Sequence, residues 1–269
     1  MLKKRIIFTL LYQDGFFYHS RNFRLQKVGD VNWLKKNYNF ENISLFIDEL
    51  IILDVSRNNR NINKFVKDFN KIIENCFVPV TIGGGITKYE VAKFFLGNGA
   101  DKIMINSEIH FNPKILKKIS EIFGQQSIIV GIDLKKIDLD YKIFIKNGSE
   151  QVNNSLNSYL TKILELEYGE IFINSIDKDG TGMGLDLNIL DQIPKNFNKP
   201  IIFSGGCGNY KHFMDGLKKD KISAISTSNL LNFIGDGLKK SRLNLEKSKY
   251  DFPKWDQNII KKVFNFFKK

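Results

Sequence analysis

An α/β fold, a single (β/α)8 barrel made of two duplicated half-barrels, is what this chain predicts, on three observations. The chain repeats itself. Pro79-Val80-Thr81-Ile82-Gly83-Gly84-Gly85-Ile86 is answered 121 positions later by Pro200-Ile201-Ile202-Phe203-Ser204-Gly205-Gly206-Cys207. At the same offset Glu49-Leu50-Ile51-Ile52-Leu53-Asp54 is answered by Glu170-Ile171-Phe172-Ile173-Asn174-Ser175, and residues 103–107 echo in 224–228. The second observation is a set of short apolar runs, whose continuity suits parallel strands covered on both faces. The third is helical spacing between those runs. Strands alternating with helices over this length fit one closed barrel, and two copies are too few for a solenoid.

The elements follow in order. Strands are expected at residues 5–10, 49–55, 78–82, 102–105, 127–133, 170–176, 200–204 and 223–227. Residues 13–30 read as the loop after the first strand, with Tyr12, Phe16, Phe17 and Tyr18 packing on the rim or offering a docking surface. Ile62, Phe65, Val66, Phe69, Ile72 and Ile73 mark one face of a helix. Each glycine run precedes a further helix, near Thr87 and Tyr210. The barrel is assigned residues 1–245 and a short basic amphipathic C-terminal tail residues 246–269. In the tail, Pro253 breaks any continuous helix. Ile259, Ile260, Val263, Phe264 and Phe267 then share a face, which is expected to pack on the protein.

Composition predicts a cytoplasmic protein. No run of 18 apolar residues occurs, and the apolar part of the N-terminus is too short for a secretory signal. The net charge is +12, but residues 239–269 carry ten basic against three acidic residues, so +7 belongs to this last stretch of the chain. Without an aromatic-basic recognition motif this charge does not point to nucleic acid, and membrane contact is not expected. Cys76 and Cys207 do not predict a disulfide. His19, His110 and His212 do not cluster, so neither a metal nor a cofactor is expected.

Working residues of such barrels lie at the C-terminal ends of the strands. Asp54, Asn106, Asp133, Asp177 and Asp179 are predicted there, with both glycine runs. A glycine loop entering a helix lets backbone N–H groups approach an anion. Two such loops, each followed by a strand ending in small polar residues, imply a ligand with a phosphate at each end. The candidate sites are Gly84, Gly85, Asn106 and Ser107 on one side. On the other they are Gly205, Gly206, Thr227 and Ser228.

Arg5-Ile6-Ile7, Asp14-Gly15, Asp48-Glu49-Leu50, Gly83-Gly84-Gly85-Ile86, Ala100-Asp101-Lys102, Ile132-Asp133, Ser175-Ile176-Asp177-Lys178-Asp179-Gly180-Thr181 and Ser204-Gly205-Gly206 stand in family order. On these residues the chain resembles the cyclase subunit of imidazole glycerol phosphate synthase over about residues 1–240. The resemblance implies a barrel that takes ammonia from a glutaminase subunit under its N-terminal face and cyclises a bisphosphorylated ribonucleotide. It adds Asp179 and Gly180 to the second phosphate site and makes Asp133 one of two catalytic aspartates. The other falls at Leu11, which carries no proton, with Asp14 the nearest carboxylate. It expects a lysine near His19. It also matches Arg5, Glu49, Lys102 and Glu170 to a charged ring that gates ammonia.

A ring present beside an absent aspartate resembles a subgroup associated with surface-polysaccharide and flagellar-sugar genes. The first reading is therefore an ammonia-conducting barrel subunit serving a glutaminase and a sugar amidotransferase that makes an acetamidino group. The alternative is the imidazole glycerol phosphate synthase subunit of histidine biosynthesis. A third reading is a non-catalytic scaffold that binds a phosphorylated small molecule.

Overall fold

The computed structural model describes residues 3–38, 45–74, 76–228, 237–248, 250–253 and 256. Eight parallel strands close on themselves. They are β1 (Arg5–Gln13), β4 (Glu49–Asp54), β5 (Val80–Gly83), β6 (Lys102–Ile105), β7 (Ile128–Ile137), β10 (Glu170–Ser175), β11 (Ile201–Ser204) and β12 (Ile222–Thr227). Each pairs with the next in that order, and β12 returns to pair with β1 at Arg5↔Ala224.

The period of two along each strand explains the apolar runs. Ile6, Phe8 and Leu10 of β1, Leu50 and Ile52 of β4, and Ile171 and Ile173 of β10 face outward into the main core. Ile7, Ile51, Met104, Ile129, Phe172, Ile202 and Ala224 form a second cluster inside the barrel. Both faces are buried, so neither can be polar along its whole length.

The outer layer holds α1 (Val31–Tyr38), α2 (Ile62–Ile73), α3 (Tyr89–Gly97), α4 (Glu108–Phe111), α5 (Lys114–Phe123), α6 (Leu156–Leu164), α7 (Tyr210–Leu217) and α8 (Gly237–Glu246). Helix α2 buries Phe65, Val66, Phe69 and Ile72, as its spacing predicts, and the Asn61 side chain caps its start by accepting from Lys64 N. The helices after the two glycine loops start at Tyr89 and Tyr210. After β10 the chain makes a 3-10 segment, Leu187–Gln192.

The expected loop 13–30 is instead a β-hairpin. β1 runs past the rim to Gln13, turns at Asp14 and Gly15, and pairs antiparallel with β2 (Phe16–Arg21), which pairs with β3 (Arg24–Asp30). Asp14 and Gly15 have φ of 49° and 89°, the left-handed pair that a tight two-residue hairpin turn requires. A hairpin also follows β7, formed by β8 (Asp140–Ile145) and β9 (Glu150–Gln151), so β7 extends beyond its expected end. Tyr12 and Phe17 are buried under the first hairpin with their rings edge to face. These two aromatics therefore pack on the rim and offer no docking surface.

Helix α8 is fastened by one buried cation. The Arg242 guanidinium donates to both oxygens of the Asp48 carboxylate, at 2.8 and 2.7 Å, and to Glu246 at 2.9 Å. Asp48 also accepts from Ile6 N at 2.7 Å, which ties the helix to the start of β1. Phe252 is buried beside Arg242. The amphipathic segment expected at residues 257–267 lies outside the described residues.

Candidate functional site

The first residues of β1, β4, β6 and β10 point into the bottom of the barrel, because inward positions recur every second residue. Arg5, Glu49, Lys102 and Glu170 there form a closed ring of alternating charge. Arg5 pairs with Glu49 and with Glu170, and its Nη2 donates to Ser223 Oγ at 3.2 Å. Lys102 Nζ lies 3.1 Å from Glu49 and 2.8 Å from Glu170. All four side chains are at most 16% exposed. Burial alone would raise the Glu170 carboxyl, but Arg5 and then Lys102 outweigh it and hold it below the usual range. For Arg5, burial opposes its charge, and the two glutamates more than compensate.

Two residues further along the same strands, Ile7, Ile51, Met104 and Phe172 make an apolar layer above the ring. The next inward positions are Thr9, Leu53, Asn106 and Asn174, and all four line a cavity of about 590 Å3 at the mouth. The route from ring to mouth is thus charged, then apolar, then polar.

At the mouth the two hairpin-bearing strands end differently. Asp133 of β7 and Leu11 of β1 both line the cavity. Asn106 Nδ2 donates to one oxygen of Asp133 at 2.7 Å, and Asn174 Nδ2 to the other at 3.1 Å. Burial raises this carboxyl to about 6, against the lowering effect of Asn174 and Asn106. Asp133 is therefore poised to take or give a proton near neutrality. Leu11 offers only methyl groups. Asp14 does not take its place, since it sits in the hairpin turn, 3.1 Å from Lys64 Nζ. His19 pairs with Gln26 along the hairpin and is not among the described residues lining the cavity.

Gly84 and Gly205 occupy corresponding turns. Their φ values are 104° and 97°. A Cβ on Gly84 would stand 2.1 Å from Asp54 O, and one on Gly205 2.6 Å from Ser175 O. Only glycine lets each loop fold so closely onto the end of the neighbouring strand. Gly84, Gly85, Asn106 and Ser107 line the main cavity. Asp179, Gly180, Gly205, Gly206, Thr227 and Ser228 line an adjoining pocket of about 20 Å3, and Asp179, Ser204 and Ser228 line both.

Several of these residues already have protein partners. Asn106 holds Asp133. Ser107 Oγ accepts from Lys146 N at 2.9 Å, and Thr227 donates to Cys207 O at 2.8 Å. Asp179 accepts from Ser20 and from Phe23 N, while Asn22 Nδ2 donates to the Ile176 and Asp177 carbonyls at 3.0 and 2.8 Å. A Cβ on Gly180 would meet Ser20 O. The first hairpin is thus pinned onto the loop that sequence reading assigned to the second phosphate.

Asn174, Ser20, Arg57, Arg60 and Lys146 line the cavity and were not singled out by the sequence. Asn174 was findable, because it lies four residues after Glu170 and so shares its face. The others come from separate loops, where no periodicity links them. Among the described residues no group of three or more His, Cys, Asp and Glu could hold a metal ion. No helix among them is long and apolar enough to cross a membrane.

The model of a histidine biosynthesis protein family matches residues 23–233. A Parasynechococcus marenigrum protein with the provisional name imidazole glycerol phosphate synthase subunit hisF2 is 46% identical over 256 residues, covering 95% of each chain. The imidazole glycerol phosphate synthase subunit HisF of Clostridium botulinum is 37% identical, covering 87% of this chain and 92% of its own. The same subunit of Chlorobium phaeobacteroides is 33% identical with the same coverage.

Proposed function

We propose, from the premise that the chain belongs to the histidine biosynthesis protein family and to its HisF-like barrel subunits, that it is the barrel subunit of an imidazole glycerol phosphate synthase-type glutamine amidotransferase. A glutaminase subunit docks at the N-terminal face and releases ammonia beneath the ring. Neutral ammonia crosses the apolar layer of Ile7, Ile51, Met104 and Phe172 at little desolvation cost, whereas ammonium would not. At the mouth Asp133 exchanges a proton with a ligand held by the two glycine loops.

The observation that carries this reading is the buried ring at one end of that interior, with Asp133 at the other. A ring of buried charge is costly where an apolar plug would serve, which favours a use for it. The names of the relatives favour this reading over the sugar amidotransferase role that the sequence put first. One observation keeps the amidotransferase role as a second reading. Leu11 lines the cavity where cyclisation would use a second carboxylate, and such a group contributes about 10²–10⁴-fold.

The test is turnover of the bisphosphorylated ribonucleotide by the purified chain with its glutaminase and glutamine. The subunit reading expects slow cyclisation that disappears in Asp133→Asn. Absence of any cyclisation, with glutamine nitrogen appearing instead in an ATP-dependent sugar amidination, would transfer support to the second reading. Failure to bind a glutaminase would leave the scaffold reading.

A further inference from the structure

We propose that Arg57, Arg60 and Lys146 form a cationic wall that holds a phosphate monoester dianion at the first glycine loop, so that this end of the cleft alone recognises its ligand by charge. The proposal rests on the reading that the glycine loops take phosphate, and it goes further by making the two ends unequal.

The three cations come from two loops that converge on one spot. Arg60, after β4, lies across Gly85, where a Cβ would stand 2.5 Å from its Cδ. Lys146, after β8, gives its backbone N–H to Ser107 Oγ at 2.9 Å. Arg57 donates to the Phe23 carbonyl at 3.1 Å and thereby joins the wall to the first hairpin. All three side chains line the cavity. Gly85 and Ser107 belong to the same candidate anion site, so the wall faces the place where backbone N–H groups are offered.

Neighbouring carboxylates do not cancel the wall. Arg60 Nε makes only a long ion pair with Asp54 Oδ2, at 3.9 Å and beyond hydrogen-bonding distance, while Ser56 N donates to Asp54 Oδ1 at 2.9 Å. Lys146 pairs with Glu150 across an exposed turn, where such a pair is weak and exchanges readily. Glu108 also lines this end, and burial raises its carboxyl.

The second loop is built otherwise. Its pocket of about 20 Å3 holds roughly one water molecule. Among the described residues lining it there is no lysine or arginine, and Asp179 lines both it and the main cavity. At the first end a planar guanidinium can meet two phosphate oxygens at once. His19, standing where family resemblance expects a lysine, lies outside the cavity lining, so cationic charge at this end comes from the wall.

The experiment is calorimetric titration of the full chain with ribose 5-phosphate, and with ribose as the uncharged control, at low and moderate salt. Wild type should bind one equivalent of ribose 5-phosphate, more weakly as salt rises, and ribose not at all. R57Q/R60Q should weaken binding at least about tenfold, the scale of a lost charged hydrogen bond. R57K/R60K should recover most of it, and K146Q and S228A should each cost less than the double variant. Melting temperatures exclude misfolding as the cause. Undiminished binding by R57Q/R60Q would overturn the wall while leaving phosphate at the glycine loops. A larger loss in S228A than in R57Q/R60Q would put the charge at the wrong end. Absence of ribose 5-phosphate binding in wild type would overturn both the wall and the reading beneath it.

Discussion

The two ends of this barrel treat charge in opposite ways. At the bottom, four charged side chains from four of the eight strands satisfy one another around a closed ring, and each carboxylate meets two cations. At the mouth Asp133 is held by two amides, while Leu11 stands at the end of the other hairpin-bearing strand. The bottom is symmetric and balanced. The mouth breaks the symmetry that the sequence repeat would give it. In the ring every charge meets an opposite one. A buried carboxylate raised to about 6 suits proton exchange. The two ends thus differ within one fold: a full ring of paired charge at one, and at the other a buried carboxylate on one hairpin-bearing strand where its counterpart carries leucine.

The strongest break of the comparison is removal of one ring member. Glu170→Ala leaves Arg5 and Lys102 to share Glu49 alone, with one buried cation in excess, and the expected loss is about 3–5 kcal/mol in chemical denaturation. A quadruple apolar replacement should cost less than this single change. Glu170→Gln adds a pH test. The carboxyl is held below its ordinary value of 4.5 in the folded state, so its contribution is complete above that value. It is lost as pH falls through the folded pKa. The stability gap between wild type and Glu170→Gln should therefore close under acid conditions. A gap that stays constant down to the acid limit would contradict a balanced ring.

Restoring the mouth is next in size. Leu11→Asp should raise cyclisation of the bisphosphorylated ribonucleotide with ammonium salts by about 10²-fold. Unchanged turnover would mean that Leu11 is not what limits the site. A smaller effect concerns the amides. Asn174→Val removes a donor from the Asp133 carboxylate, so its titration, followed by carbon NMR, should move upward from about 6. A downward shift would show that Asn174 does not stabilise the charged form. The smallest effect is at the hairpin. Ser20→Ala removes its hydroxyl from Asp179 and should cost about 1 kcal/mol, seen as faster amide exchange within Phe16–Arg21.

Much of this was legible because barrels write their register in steps of two. The eight runs mark the strands. Once Glu49 and Glu170 are set as inward, Ile51 and Phe172, then Leu53 and Asn174, follow on the same face. The family was legible in the run from Ser175 to Thr181 and in the glycine loops. The first hairpin was written in Asp14-Gly15, flanked by Leu11 and Phe17, but its aromatic residues drew the reading toward a loop. The 3-10 segment after β10 carries too little periodicity to separate it from a helix. The contacts of Arg60 with Gly85 and of Ser20 with Asp179 join loops distant in sequence, and only the closed fold brings them together.

The most direct test of the central claim follows nitrogen. The chain is combined with its glutaminase, glutamine labelled with 15N at the side-chain amide, the acceptor ligand, and an excess of unlabelled ammonium. A passage through the ring predicts product that carries the label undiluted. It also predicts dilution by external ammonium when Arg5→Ala or Lys102→Ala opens the ring. Product whose label is diluted to the bulk ratio in the wild-type complex would contradict the account.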